Sequence, residues 1–199
     1  MNYLAHAYLS GTDGDLLIGN FIADHVKGSA IHRFPEKVRQ GILLHRMIDS
    51  FTDSHPVVEE CKAALRPRFR KYAPVITDIY FDHFLARDWE RYHHEELPVY
   101  ARGCYTHLRM NEQLLPERTV FMLGYMEKQD WLTGYASTQG IGLALKGMAR
   151  RARFESGMEH AQGFLEENYK LFDSGFERYF PDLQRHVESQ IIKTAQRFS

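Results

Sequence analysis

Two helical stretches carry residues able to grip a cation. In "PVITDIYFDHFLARDWERYHH", residues 74–94, Asp78 and Asp82 stand four apart. At about 100° per residue they share a helix face. Val75, Phe81, Leu85 and Trp89 fall within about 80° of them, so both carboxylates lie inside the apolar stripe. Two like charges buried together are costly: one takes up a proton, or something positive lies between them. A divalent cation is one answer, and pairing with Arg or Lys is the other. In "GILLHRMIDSFTDSHP", residues 41–56, His45, Asp49 and Asp53 repeat the spacing. They drift across about 80° of the wheel and border the apolar arc beside Ile48, with Leu43, Leu44, Met47 and Phe51 on the other side. "GNFIADH" sets Asn20 and Asp24 on a face with Leu16 and Leu17, and His6 in "NYLAHAYL" follows Asn2 by one turn.

A lone His at a helix edge is usually a hydrogen-bonded polar residue, and HxxxD is common by chance. The combination says more. Asp24, His45, Asp49, Asp78 and Asp82 come from three helices, and His6 is a sixth member. An oxygen-rich set with one or two imidazoles suits Mn²⁺, Mg²⁺ or Fe²⁺ better than structural zinc. Such a set can bind phosphate oxygens and lower the pKa of a water. Asp53, beside Ser54, His55 and Pro56, is expected to cap the next helix or to support the site from behind.

The elements that must position these residues are helices. Apolar residues recur at helical spacing, few stretches alternate, and Pro35, Pro56, Pro74, Pro98, Pro116 and Pro181 punctuate the pattern. In "SHPVVEE", Ser54 or His55 serves as N-cap and Pro56 sits in the first turn, with Glu59 and Glu60 near the positive end of the dipole. The periodicity predicts helices near 2–9, 15–27, 36–52, 56–69, 73–93, 96–110, 116–130, 138–152, 157–171 and 173–197. Gly28 is expected to close the second. "LTGYASTQGIG", residues 132–142, reads as the loosest stretch, a mobile loop. No repeat or long linker divides the chain, so one all-α domain over 1–199 is expected.

The chain has 199 residues, 44% of them apolar, enough for one substantial core. With a formal net charge of −1, nothing global points to nucleic acid. Charge is clustered locally, at Arg66, Arg68, Arg70 and Lys71 and again at Arg150, Arg151 and Arg153. Such clusters are either solvated helix faces or a docking patch for an acidic partner. Cys61 and Cys104 have neither CxxC spacing nor disulfide density and read as buried thiols. The N-terminus lacks a basic region and meets Asp13 and Asp15 early, unlike a signal peptide. No apolar run approaches the roughly 18 residues needed to span a bilayer, so a cytoplasmic protein is expected.

The same residues carry a resemblance. "MNYLAHAYLS", "LLIGNFIADHVKG", "GILLHRMIDSFTDSHPVV" and "DIYFDHFLARDW" resemble the signatures of the acyl carrier protein phosphodiesterase family. The likeness continues through "DWLTGYASTQGIGLALKGMARR" to "FERYFPDLQRHV" and so spans nearly the whole chain in order. It implies a helical fold distantly related to the HD-domain metal phosphohydrolases. It also implies a Mn²⁺-dependent cleavage of the phosphodiester that joins 4'-phosphopantetheine to a serine of holo-acyl carrier protein. By this resemblance Asp24, His45, Asp49, Asp78 and Asp82 hold the metal. Asp24 and Asp82 are preferred over their neighbours His25 and His83, which point about 100° away. His6 is preferred over His25 and His55 as proton donor to the leaving oxygen, neutral imidazole being able to titrate near working pH. An acidic carrier would dock on basic residues, with Arg33, Lys37, Arg66, Arg68, Arg70 and Arg150 as the expected set. The rival readings are an HD-like phosphohydrolase of a nucleotide or other small phosphoester, and a non-enzymatic helical module for an acidic partner.

Overall fold

The computed structural model describes the backbone of residues 2–197 and the side chains of residues 2–191. Among these residues there is no strand, and the expected all-α class holds. Eleven α-helices follow in order: α1 Tyr3–Leu9, α2 Gly14–Ile22, α3 Glu36–Ser54, α4 Pro56–Phe69, α5 Ala73–Arg87, α6 Leu97–Met110, α7 Glu117–Lys128, α8 Trp131–Gly134, α9 Thr138–Arg151, α10 Ala161–Glu167 and α11 Tyr169–Arg197. Among the described residues no helix is long and apolar enough to cross a membrane.

Local chemistry starts several of them where the sequence predicts. Asp13 caps α2 by accepting from the N–H groups of Asp15 and Leu16 at 3.0 and 3.3 Å. His55, rather than Ser54, caps α4 and accepts from Val57 N–H, with Pro56 in the first turn. Three expectations give way. The α2 helix does not run to Gly28: it ends at Ile22 and tightens into a 3₁₀ turn over Ala23–His25. The fifth helix ends at Arg87, not near 93, because the Arg87 guanidinium binds Asp88 and Asp173 and a separate 3₁₀ turn follows at Trp89–Arg91. Residues 132–142 are not a loose loop. Leu132 and Tyr135 are buried, and Ser137 caps α9 by accepting from Gly140 N–H at 3.0 Å.

The core lies around α5, which is buried nearly all round from Ile76 to Ala86. Phe81 and Phe84 pack edge-on and tilted against Phe176 of α11 at 5.8 and 5.9 Å, and Phe176 stacks on Phe180 at 4.8 Å. Each such ring contributes about 1.5–3 kcal/mol by leaving water. Cys61 and Cys104 are both free and buried, as the sequence predicts.

One crossing fixes the region of interest. Where α2 meets α3, a Cβ on Gly19 would lie 2.0 Å from the Val38 carbonyl oxygen, and one on Gly41 would lie 2.4 Å from that of Leu16. The two backbones touch directly, and only glycine permits it. Asn20 follows Gly19 by one residue and His45 follows Gly41 by one turn, so the crossing brings these two side chains together.

Candidate active site

A cavity of about 370 Å³ opens at the junction of α1, α2, α3, α5 and α9. Its polar wall is His6, Asn20, Asp24, His45, Asp49 and Asp78, and its apolar side includes Val75 and Met148. Of the sequence-derived set, His6, Asp24, His45, Asp49 and Asp78 therefore meet at one place.

The centre is His45. Its Nε2 lies 3.0 Å from Asp49 Oδ2 and 3.4 Å from Asp24 Oδ1. Its Nδ1 lies 3.1 Å from Asn20 Oδ1. The Asn20 amide is oriented by its own donors: Nδ2 gives hydrogen bonds to the His6 carbonyl at 2.8 Å and to Ser10 Oγ at 3.0 Å. Asn20 thus presents an oxygen, and His45 must donate from Nδ1. The other ring nitrogen, Nε2, faces two carboxylates. It can meet them in only two ways: carrying a proton, or turning a lone pair to a cation that the carboxylates also bind. Burial opposes charge on His45, but Asp24 and Asp49 outweigh it and lift its pKa to about 9. Reciprocally, burial would raise Asp49, yet His45 and His6 hold it well below the usual carboxylate range. The hydrogen bond to His45 is the main reason that Asp24 is also lowered.

His6 stacks on His45 with ring centroids 4.0 Å apart and planes 16° from parallel. Its Nε2 is 3.2 Å from Asp49 Oδ1 but off the angle of a hydrogen bond, and both ring nitrogens are buried without a hydrogen-bond partner among the described residues. Burial above all lowers its proton affinity. A second imidazolium stacked on His45 would add like-charge repulsion. His6 is therefore held neutral, with buried lone-pair capacity unused, which argues against the expected role of proton donor and for that of cation ligand. The ligand atoms of His6, His45 and Asp49 lie within 4.8 Å of one another. Two imidazoles and a carboxylate at that spacing fit one divalent cation.

Asp82 requires a correction. It does not line the cavity. Its carboxylate is fully buried and accepts from the backbone N–H groups of Asn2, Leu4 and Ala5 at 3.3, 2.8 and 3.3 Å. The Asn2 side chain makes no cap bond, so Asp82 does that work for α1 from the neighbouring helix. The wheel placed Asp78 and Asp82 on one face correctly, but one turn of rise separates them, enough for one to reach the cavity and the other the start of α1. His83 is elsewhere too, bridging the Tyr135 carbonyl and the Tyr169 hydroxyl at 2.8 Å each. Neither other candidate donor lines the cavity. His25 contacts Thr119, and His55 caps α4 beside Asp182. Asp53 lines the cavity edge and pairs with buried Lys62 at 2.6 Å, a supporting role and not a cap.

The expected docking cations are exposed but differ in their partners. Lys37 is paired with Asp13 at 2.9 Å and Arg66 with Glu59 at 2.9 Å. Arg68 lies over the Phe69 ring. Arg33, Arg70 and Arg150 have no carboxylate within salt-bridge reach among the described residues.

Comparison with known proteins places this chain in a family. The sequence profile described as acyl carrier protein phosphodiesterase matches residues 1–183. The acyl carrier protein phosphodiesterase of Enterobacter sp. (strain 638) is 36% identical over 192 residues, covering 96% of this chain and 99% of the relative. That of Serratia proteamaculans (strain 568) is 31% identical over 191 residues, with 96% and 99% covered. That of Escherichia coli O6:H1 is 30% identical over 198 residues, with 96% and 100% covered. No solved structure matches. The match over nearly the whole chain makes this protein a phosphodiester hydrolase by class. The chain belongs to the acyl carrier protein phosphodiesterase family.

Proposed function

We propose that this protein hydrolyses the phosphodiester between 4'-phosphopantetheine and the carrier serine of holo-acyl carrier protein, with a divalent cation, Mn²⁺ or else Mg²⁺ or Fe²⁺, at the His45 centre. The observation that carries the reading is the convergence of His6, His45 and Asp49 on one point of a cavity wall. His6, His45 and Asp49 would hold the cation, with Asp24 and Asp78 flanking it. When bound, the cation would polarise a phosphoryl oxygen and make a water more acidic.

The chain's own residues would do the rest. Asn20 keeps the His45 proton on Nδ1 and so leaves Nε2 open toward the carboxylates. Val75 and Met148 offer an apolar side for the pantetheine arm. Asp24, mostly exposed at the rim, would take a proton from the attacking water. As the water oxygen bonds to phosphorus, the bond to the serine oxygen breaks. The serine oxygen then takes a proton from solvent at the open mouth. The products are 4'-phosphopantetheine and the apo carrier.

The test is intact-mass spectrometry of holo-carrier incubated with the protein and Mn²⁺. A carrier lighter by one phosphopantetheine, with the change blocked by a chelator, is expected. An unchanged carrier beside hydrolysis of a nucleotide panel would transfer the site to the small-phosphoester reading.

A further inference from the structure

Next to the cavity, two segments far apart in sequence build an exposed patch in which two cations lie against one aromatic ring. The chain leaves α4 through Arg70, whose φ of +49° turns it sharply toward α5. Lys71 then lays its Nζ over the Phe154 ring, 4.2 Å from the centroid, and the Tyr72 hydroxyl donates to the Phe154 carbonyl at 3.2 Å. Arg153 approaches the same ring from its own segment, with Cζ at 5.4 Å. Despite two cations against it, Phe154 remains 58% exposed. Arg150 and Arg151 continue the charge along the last turn of α9.

Three features separate this patch from an ordinary solvated face. Residues 131–154 contain no Asp or Glu, so nothing in that segment neutralises Lys146, Arg150, Arg151 and Arg153. Among the described residues Lys71, Arg150, Arg151 and Arg153 have no salt-bridge partner, in contrast to Lys37 and Arg66. The patch is also continuous with the site. Pro74 and Val75, just after Lys71, and Met148, just before Arg150, line the cavity, and Arg151 is near enough to Tyr3 at the cavity wall to act on its phenol.

We propose that the patch formed by Lys71, Arg150, Arg153 and the exposed ring of Phe154 is the docking surface for the acidic face of the carrier protein. This inference rests on the carrier reading above and narrows it: of the cations expected from sequence, Arg150 and Arg70 belong to this surface, while Lys37 and Arg66 are already paired. Unpaired cations attract an acidic partner and orient it, and the exposed ring beside them supplies an apolar contact within a charged patch. The partner's phosphopantetheine arm would enter beside Val75 and Met148.

The experiment is equilibrium binding of fluorescently labelled holo-carrier to the full chain, read by anisotropy without added metal so that no turnover occurs. The variants are Lys71→Glu/Arg150→Glu/Arg153→Glu and, separately, Phe154→Ser, whose exposed position spares the fold. At about 50 mM salt the charge reversal is expected to raise Kd at least tenfold, an effect that shrinks at about 500 mM as screening shortens the reach of each charge. Phe154→Ser is expected to raise Kd several-fold at both salt concentrations. Kd within twofold of wild type for both variants overturns the proposal. So does a wild-type protein that ignores the carrier but binds anionic phosphatidylglycerol vesicles or single-stranded RNA through these residues. Wild-type binding without cleavage, once Mn²⁺ is added, would overturn the proposed reaction while leaving the docking surface standing.

Discussion

Asp82 is fully buried and Asp49 only partly so, and each has nitrogen groups close to its carboxylate, yet their proton affinities move in opposite directions. Asp49 faces the imidazoles of His45 and His6 at 3.0 and 3.2 Å and is driven down. Asp82 faces three backbone N–H groups and is driven up to about 7, because complete burial outweighs those hydrogen bonds. One carboxylate stays charged at an opening to solvent, where a cation or substrate can reach it. The other is sealed in the interior, where it serves the backbone. The same residue type thus builds the site in one region and the scaffold in the other, and the neighbouring donor decides which.

The sharpest way to break this contrast is to remove each carboxylate in turn. Asp49→Ala is expected to lower kcat/KM for the carrier on the order of a thousandfold while thermal stability changes little, since Asp49 is proposed as a cation ligand and stands at an open wall. Asp82→Ala is expected to do the reverse. Three N–H groups at the start of α1 lose their acceptor, a cost of about 3–5 kcal/mol in chemical denaturation, while the folded fraction keeps its turnover. Equal activity losses without a stability change in Asp82→Ala would return Asp82 to the site. Asn20→Ala should fall between the two. It frees Nδ1 of His45 without removing a ligand, and a ten- to hundredfold loss of Mn²⁺ affinity by calorimetry is expected. Asn20→Asp, which restores an oxygen acceptor, should recover part of it.

The smallest effect concerns pH. The folded pKa of Asp82 lies above its ordinary value of 3.8, so its contribution to stability is full below about 4 and is lost as pH rises through about 7. The groups around it are the N–H donors of Asn2, Leu4 and Ala5, with the Tyr135 phenol nearby. Asp82→Asn should flatten that part of the curve of unfolding free energy against pH, measured by urea titration. A slope identical to wild type would mean that Asp82 stays ionised in the fold.

Much of this was legible in the chain. Proline placement and 3.6-residue spacing located α3, α4, α6 and α9 to within a few residues. The helical wheels also singled out His6, Asp24, His45, Asp49 and Asp78, since a polar residue inside an apolar stripe is visible in one dimension. What the wheel cannot show is distance along the axis, so it groups Asp82 with Asp78. Nor can it show partners remote in sequence. Residues 132–142 read as loose because their Gly, Ser and Thr content favours turns. They are ordered by Leu132 N–H donating to the Tyr105 hydroxyl and by the Tyr135 carbonyl meeting His83. Asn20 shared a face with Asp24, but its role in fixing His45 needed the position of α3. The one sequence signal was Gly19 beside it, matched by Gly41 four residues before His45. The Phe154 patch is visible in the sequence only as a run of arginines, because Lys71 reaches it from the turn before α5, remote in the chain.

The glycine crossing of α2 and α3 has a mechanical consequence. Backbone rests on backbone there, so no side chain can change rotamer to absorb a displacement. The separation of Asn20 from His45 is then set by direct backbone contact. Under hydrostatic pressure the open cavity should be the part that yields, and the Asn20–His45 contact the part that keeps its length.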